Sequence, residues 1–106
     1  MAGIPDPAKR KQKLDQWRAG QRAAARAGFP LSNEQMQAIF DMLDTTLPVR
    51  GCDHTLKLVQ AWTEQVGAPF ESVANWCREN GGCCDCEVLS NSEERWKDAN
   101  RDVDWE

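Results

Sequence analysis

Four residues of this chain have the types and spacing of a metal site. Cys52 and His54 lie one residue apart in Gly51-Cys52-Asp53-His54, and Cys84 and Cys86 do the same in Cys84-Asp85-Cys86. Three thiols and one imidazole make a tetrahedral donor set that suits zinc. A Cys-x-His pair can chelate when one ligand comes from a loop and the other from the first turn of a helix. A Cys-x-Cys pair can do so where the chain is extended, because alternate side chains then share a side. Gly81 and Gly82, just before the second pair, allow the chain to fold back. Three thiolates and one zinc ion sum to a charge of about −1, which a nearby helix N-terminus helps to offset.

Cys77 and Cys83 complete a set of five cysteines. The odd count and the crowding in Cys83-Cys84-Asp85-Cys86 argue for metal binding in a reducing compartment rather than a disulfide framework. Cys77 falls within a helical segment and reads as a small core residue. Cys83 is an alternative to Cys84, but choosing it breaks the Cys-x-Cys geometry. The spacing is not the common two-residue one; it resembles SWIM-type zinc fingers with the two halves reversed. The competing reading is a set of ordinary cysteines and a surface histidine.

Catalytic signatures are missing. Four protein ligands close the coordination shell, whereas a catalytic zinc keeps a position for water. The deaminase pattern of His-x-Glu followed by Pro-Cys-x-x-Cys is absent, as are His-Glu-x-x-His and a phosphate-binding glycine loop. With the sole histidine on the metal, no Cys–His nucleophile pair remains. No catalytic residue is assigned, and Asp53, Asp85 and Glu87 read as helix caps or as acceptors that orient the ligands.

The elements that must position the four ligands are helical. Asp6 and Pro7 open the first, as N-cap and first helical residue, and residues 8–27 are rich in Ala, Lys, Arg and Gln. Its apolar face is thin, with Leu14, Trp17 and alanines, and Gly28 is placed to cap its end. Ser32-Asn33-Glu34-Gln35 fits a capping box, and Met36, Ile39, Phe40, Leu43 and Leu47 recur at helical spacing, predicting a helix over 33–46 that stops before Pro48. A third helix follows over 54–66, with Asp53 as its cap and His54 in its first turn. A fourth covers 70–80 and ends at Asn80-Gly81-Gly82. The Cys84–Cys86 segment is expected to be extended, Glu87-Val88-Leu89 a short strand, and Ser92 the N-cap of a final polar helix containing Trp96. The expected core is Phe40, Leu43, Leu56, Val59, Trp62, Val73 and Trp76.

Composition sets the frame. The 106 residues suffice for one domain, with 41% apolar and 28% charged residues. The net charge of −4 hides an asymmetry: residues 1–30 hold seven Lys/Arg against two acidic groups, and all later segments are net acidic. This divides the chain into a basic helical arm (1–30), a helical domain stapled by zinc (31–98) and an acidic tail (99–106). A basic arm suits nucleic acid or an acidic partner, or it leans on its own acidic domain. The body is small enough for its core to be marginal without a staple. No secretory leader, membrane span or lipidation box is visible, so the expected compartment is the cytoplasm.

The blocks Gly51-Cys52-Asp53-His54-Thr55-Leu56 and Asn80-Gly81-Gly82-Cys83-Cys84-Asp85-Cys86-Glu87-Val88-Leu89-Ser90-Asn91, with Trp76 in the helix before the second, resemble a bacterial family known as domain of unknown function 2695. The resemblance covers residues 32–92. Cys83 departs from it, since the family more often has an aromatic residue there. The resemblance supports the four-ligand set and implies no activity. The reading is a mainly α-helical zinc-binding protein of about four helices, acting as a binding or regulatory module for a protein or nucleic-acid partner through its basic N-terminal helix. The alternative is a thiol-dependent redox or metal-handling protein using the Cys83–Cys86 cluster. An enzyme with an open zinc site would need an exchangeable water at the metal.

Overall fold

The computed structural model describes residues 7–103. Six helices follow in order: α1 (Pro7–Ala27), α2 (Asn33–Arg50), α3 (Lys57–Val66), α4 (Phe70–Glu79), the single turn α5 (Asp85–Glu87) and α6 (Glu93–Ala99). A π-helical turn over Val88–Ser92 joins α5 to α6, so residues 85–99 run as one helical rod. No strand occurs among the described residues. Asp6 and the tail residues 104–106, which include Trp105, lie outside them.

The capping box at the start of α2 is present: the Gln35 N–H donates to Ser32 Oγ at 3.2 Å, and the Ser32 N–H donates to Gln35 Oε1 at 3.3 Å. The helix then runs past its expected end, with Pro48 inside its last turn. Pro48 lacks only the N–H that would reach the exposed Asp44, whose carbonyl water can satisfy, and the Gly51 N–H closes the helix on Leu47 O at 2.8 Å. Gly67, in the left-handed region, ends α3, and the chain reverses through Ala68-Pro69 into α4.

The core is one cluster drawn from α2, the start of α3, α4, the π-turn and α6, and includes Met36, Ile39, Phe40, Leu43, Leu56, Val59, Val73, Trp76, Val88 and Trp96. All the expected core residues are buried except Trp62, which is half-buried at the margin. Trp96, on a segment whose pattern reads as polar, is central. It is only 2% exposed, and its ring lies 5.2 Å from that of Phe40. Its indole N–H donates to Asn33 Oδ1 at 2.9 Å. Asn33 and the buried Asn100 exchange amide hydrogen bonds at 3.2 Å, so the start of α2 is tied to the end of α6.

The segment expected as a strand is helical instead. Val88 is fully buried in the π-turn, and Ser92 is not a side-chain cap. Its buried hydroxyl reaches back to the carbonyls of Cys77 and Asn80 at 3.3 and 3.2 Å. Asn91 Nδ2 donates to Gly81 O at 3.0 Å. The end of α4 exposes carbonyls, and the π-turn delivers side chains that satisfy them. The approach is so close that a Cβ on Gly82 would meet Ser92 Oγ at 2.5 Å and Val88 Cγ2 at 2.7 Å.

Only the last turns of α1 join the body. Arg26 donates to Ala99 O at 2.7 Å and pairs with Asp102 at 2.8 Å, Arg22 lies 3.4 Å from the same carboxylate, and Phe29 meets Trp76 edge-on at 5.8 Å. Every residue from Pro7 to Arg18 is exposed. The molecule is consequently elongated, 64 × 23 × 23 Å. No described helix is long and apolar enough to cross a membrane.

Replacing Trp96 with Ala empties a buried aromatic site and removes one of the two donors to Asn33 Oδ1, so it should lower the unfolding free energy by about 3–5 kcal/mol. Urea unfolding monitored by circular dichroism measures this; a loss below about 1 kcal/mol would place Trp96 outside the core.

Candidate metal centre

The site is assembled from two stretches that lie far apart in sequence. Cys52 sits in the loop after α2, and Cys84 and Cys86 stand at the start of the rod formed by α5, the π-turn and α6. Cys84 is extended (φ −145°, ψ 168°) and precedes the first helical residue, whereas Cys86 is already helical. The pair thus sits across a loop-to-helix junction rather than along an extended segment.

One side chain fixes the two stretches together. Asp85, only 1% exposed, accepts the Leu58 N–H at 2.9 Å on Oδ2 and the Val59 N–H at 3.2 Å on Oδ1. These are two of the unpaired donors at the start of α3, whose own preceding residue, Leu56, has no capping side chain. Asp85 therefore caps α3 from 27 positions away in the chain. Its own N–H donates to Thr55 O at 3.0 Å, closing the junction from the other side. Burial pushes its carboxyl above the usual Asp range, opposed by the Leu58 and Val59 donors. Asp53, expected as the cap, instead accepts from the Thr55 N–H and hydroxyl in a local turn before α3.

Around this clamp the sulfurs of Cys52, Cys84 and Cys86 all lie within 4.8 Å of one another, and Cys84 Sγ is 3.3 Å from Cys86 Sγ. In a tetrahedral zinc–thiolate site the sulfurs stand about 3.8 Å apart, so the three need only small adjustments to hold a metal ion. Backbone donors are aimed at them. The N–H groups of Cys86 and His54 point to Cys52 and hold its thiol below its ordinary value. Cys84 is pushed up to about 12, chiefly by burial, although the Glu87 N–H acts in the opposite direction. A buried thiol of this kind becomes a thiolate when a cation supplies the compensating charge.

The other expected ligand and the spare cysteines are placed as follows. His54 is exposed, with a left-handed backbone (φ 68°), and its imidazole is not gathered with the three sulfurs. It lines a neighbouring depression with Lys57, Phe70, Arg78 and Cys83. Cys83 is exposed there, and Cys84 takes the place beside Cys86. Cys77 is buried in α4, and burial lifts its thiol to about 12, as befits an inert packing residue. From sequence Asp85 reads only as a generic cap or acceptor, because the donors it satisfies are the backbone N–H groups of Leu58 and Val59.

Comparison with known proteins adds context. The model of a family described as a protein of unknown function (DUF2695) matches residues 39–91. An uncharacterized protein of Mycobacterium bovis is 33% identical over 93 residues, covering 88% of this chain and 94% of its own length. Uncharacterized proteins from two strains of Mycobacterium tuberculosis match with the same identity and coverage. No solved structure matches the chain.

Replacing Asp85 with Ala leaves the Leu58 and Val59 donors without acceptors in a buried junction. The expected loss is about 2–3 kcal/mol in chemical unfolding, together with faster alkylation of Cys84 under native conditions. Unchanged stability would show that α3 is capped by other means.

Proposed function

We propose that this chain, which belongs to the DUF2695 family, is a zinc-stapled helical interaction module. Cys52, Cys84 and Cys86 are three of the ligands, and His54 is the fourth. The single observation that carries this reading is the convergence of three sulfurs, from both ends of a 35-residue stretch (52–86), around a buried carboxylate clamp. Soft thiolates select zinc among common intracellular divalent ions, and a full set of four protein ligands leaves no position for chemistry. The metal's role is then to hold the α2–α3 loop against the start of α5. In a chain this small, metal-binding energy is folding energy. The exposed part of α1, which carries most of the arm's basic residues, is the surface offered to a protein or nucleic-acid partner.

His54 supports its own assignment through its backbone. A non-glycine residue at positive φ is uncommon and costs about 1–2 kcal/mol. A position kept at that cost by the only histidine, two residues from Cys52, fits a ligand better than a surface ornament.

The purified, reduced protein should contain one zinc per chain by elemental analysis, and Cys84→Ala should lose both the metal and much of the thermal stability. A folded, fully reduced preparation without metal would refute the reading. His54→Gly separates backbone strain from ligation. It should raise the stability of metal-free protein by about 1 kcal/mol while lowering zinc affinity at least tenfold; equal affinity would remove His54 from the ligand set.

A second reading is favoured by one contact. Cys84 and Cys86 are close enough to react with each other, and Cys83 and Cys86 are exposed. A thiol-dependent redox or metal-handling role would show as labile zinc and reversible oxidation within residues 83–86. A tightly held ion whose ligands resist thiol reagents supports the module instead.

A further inference from the structure

We infer that the exposed half of α1 is a groove-binding helix for double-stranded nucleic acid, with a cationic ridge that faces away from the acidic body. This rests on the reading of α1 as the contact surface and names its partner.

Three observations carry it. First, Pro7–Arg18 is wholly exposed and fixed in direction, because the last turns of the same helix are anchored through Arg22, Arg26 and Phe29. At about 1.5 Å per residue the exposed part is a rod of roughly 18 Å, long enough to cross a major groove about 12 Å wide. Second, its cations find no carboxylate partner within the described residues. Among the described residues no carboxylate lies within ion-pair distance of Lys9, Arg10, Lys11, Lys13 or Arg18. Third, their arrangement is ordered. At about 100° per residue, Arg10, Leu14 and Trp17 fall on one ridge, with Lys9 and Lys13 along one flank and Lys11 and Arg18 along the other. Ala19, Arg22 and Arg26, the α1 residues that are partly covered, lie on the far side of the helix.

A helix lying in a groove meets phosphates on both flanks and base edges along its centre. The two pairs of flanking cations match the two strands. The central Arg10 is suited to base-edge acceptors, and Leu14 and Trp17, 43% and 61% exposed, to apolar contact with them. A protein partner would call for a longer apolar stripe than these two side chains supply. An interfacial membrane helix would call for a broader apolar face. The remainder of the chain, net acidic from residue 31 onward, repels phosphate and confines binding to the arm.

The test is fluorescence anisotropy of the full chain with a labelled mixed-sequence duplex two helical turns long, over a salt series. Binding at low salt should weaken steeply, with a log–log slope of about −3 to −4 for four flanking phosphate contacts. Lys9→Gln with Lys13→Gln, or Lys11→Gln with Arg18→Gln, should each reduce the slope by about 2. Trp17→Ala should weaken binding with little change in slope. Because these residues are exposed, zinc content and thermal stability should stay as in the parent. A parent chain that binds the duplex but holds no zinc would count against the module reading, not this one. No binding to the duplex at low salt would overturn the inference. So would equal affinity for polyglutamate, for anionic phospholipid vesicles or for a single strand, or a charge-neutralised arm that binds like the parent.

Discussion

A buried carboxylate on one side of the molecule supplies the missing cap of a helix on the other, and the rest of the site follows from that bond pair. Asp85 reaches Leu58 and Val59 with both oxygens, and its N–H is spent on Thr55. Because residues 84 and 86 flank it directly, fixing Asp85 also fixes where both cysteines start. They have no freedom to lie elsewhere than beside the Cys52–Thr55 loop. The carboxylate costs free energy to bury, and two N–H donors from a helix end offset that cost in a way a single neutral donor does not. The sulfur cluster is thus preorganised by protein contacts before any cation is considered.

A second set of polar contacts supports the first. The turn after α4 satisfies the Cys77 carbonyl through the Asn80 and Gly82 N–H groups, but the carbonyls of Asn80 and Gly81 need other donors. Ser92 and Asn91, projected backward by the π-turn, bind them. A regular α-helix through 88–92 would place these side chains differently, so the local widening of the helix is what lets one segment close on another. Gly82 is the spatial condition for that closure, since any side chain there would strike the π-turn. The consequence is that the residues from Asn80 to Ser92 form one self-latched unit, with the two cysteines at its centre.

The arm and the body obey different physics. The last turns of α1 are held by Asp102 and by the contact of Phe29 with Trp76, while the side chains of the earlier turns are exposed. The question of whether the basic segment leans on the acidic domain or stands free is answered differently for its two halves. Anchoring one half gives the other a fixed direction, and a helix of good helix formers can hold that direction without a core of its own.

Much of the fold was legible because it is written in local terms. The helical periodicity of Met36, Ile39, Phe40 and Leu43, the capping box at Ser32 and the breaks at Gly28, Gly67 and Gly81–Gly82 depend on neighbours a few residues away, and α1 to α4 lie close to where these signals put them. The cysteine spacing likewise pointed to the three that converge. The tertiary structure alone decided the rest. A stretch reading as Glu87-Val88-Leu89 has strand-like propensity, but burial of Val88 and the latch through Ser92 make it helical. Trp96 looked like an isolated aromatic on a polar helix until the packing of α6 on α2 gave its ring Phe40 and its N–H Asn33. Asp85 shows the limit most plainly. A carboxylate between two cysteines advertises nothing in sequence, because the donors it satisfies are backbone groups, which every residue but proline carries, and only the fold says which of them lack a partner.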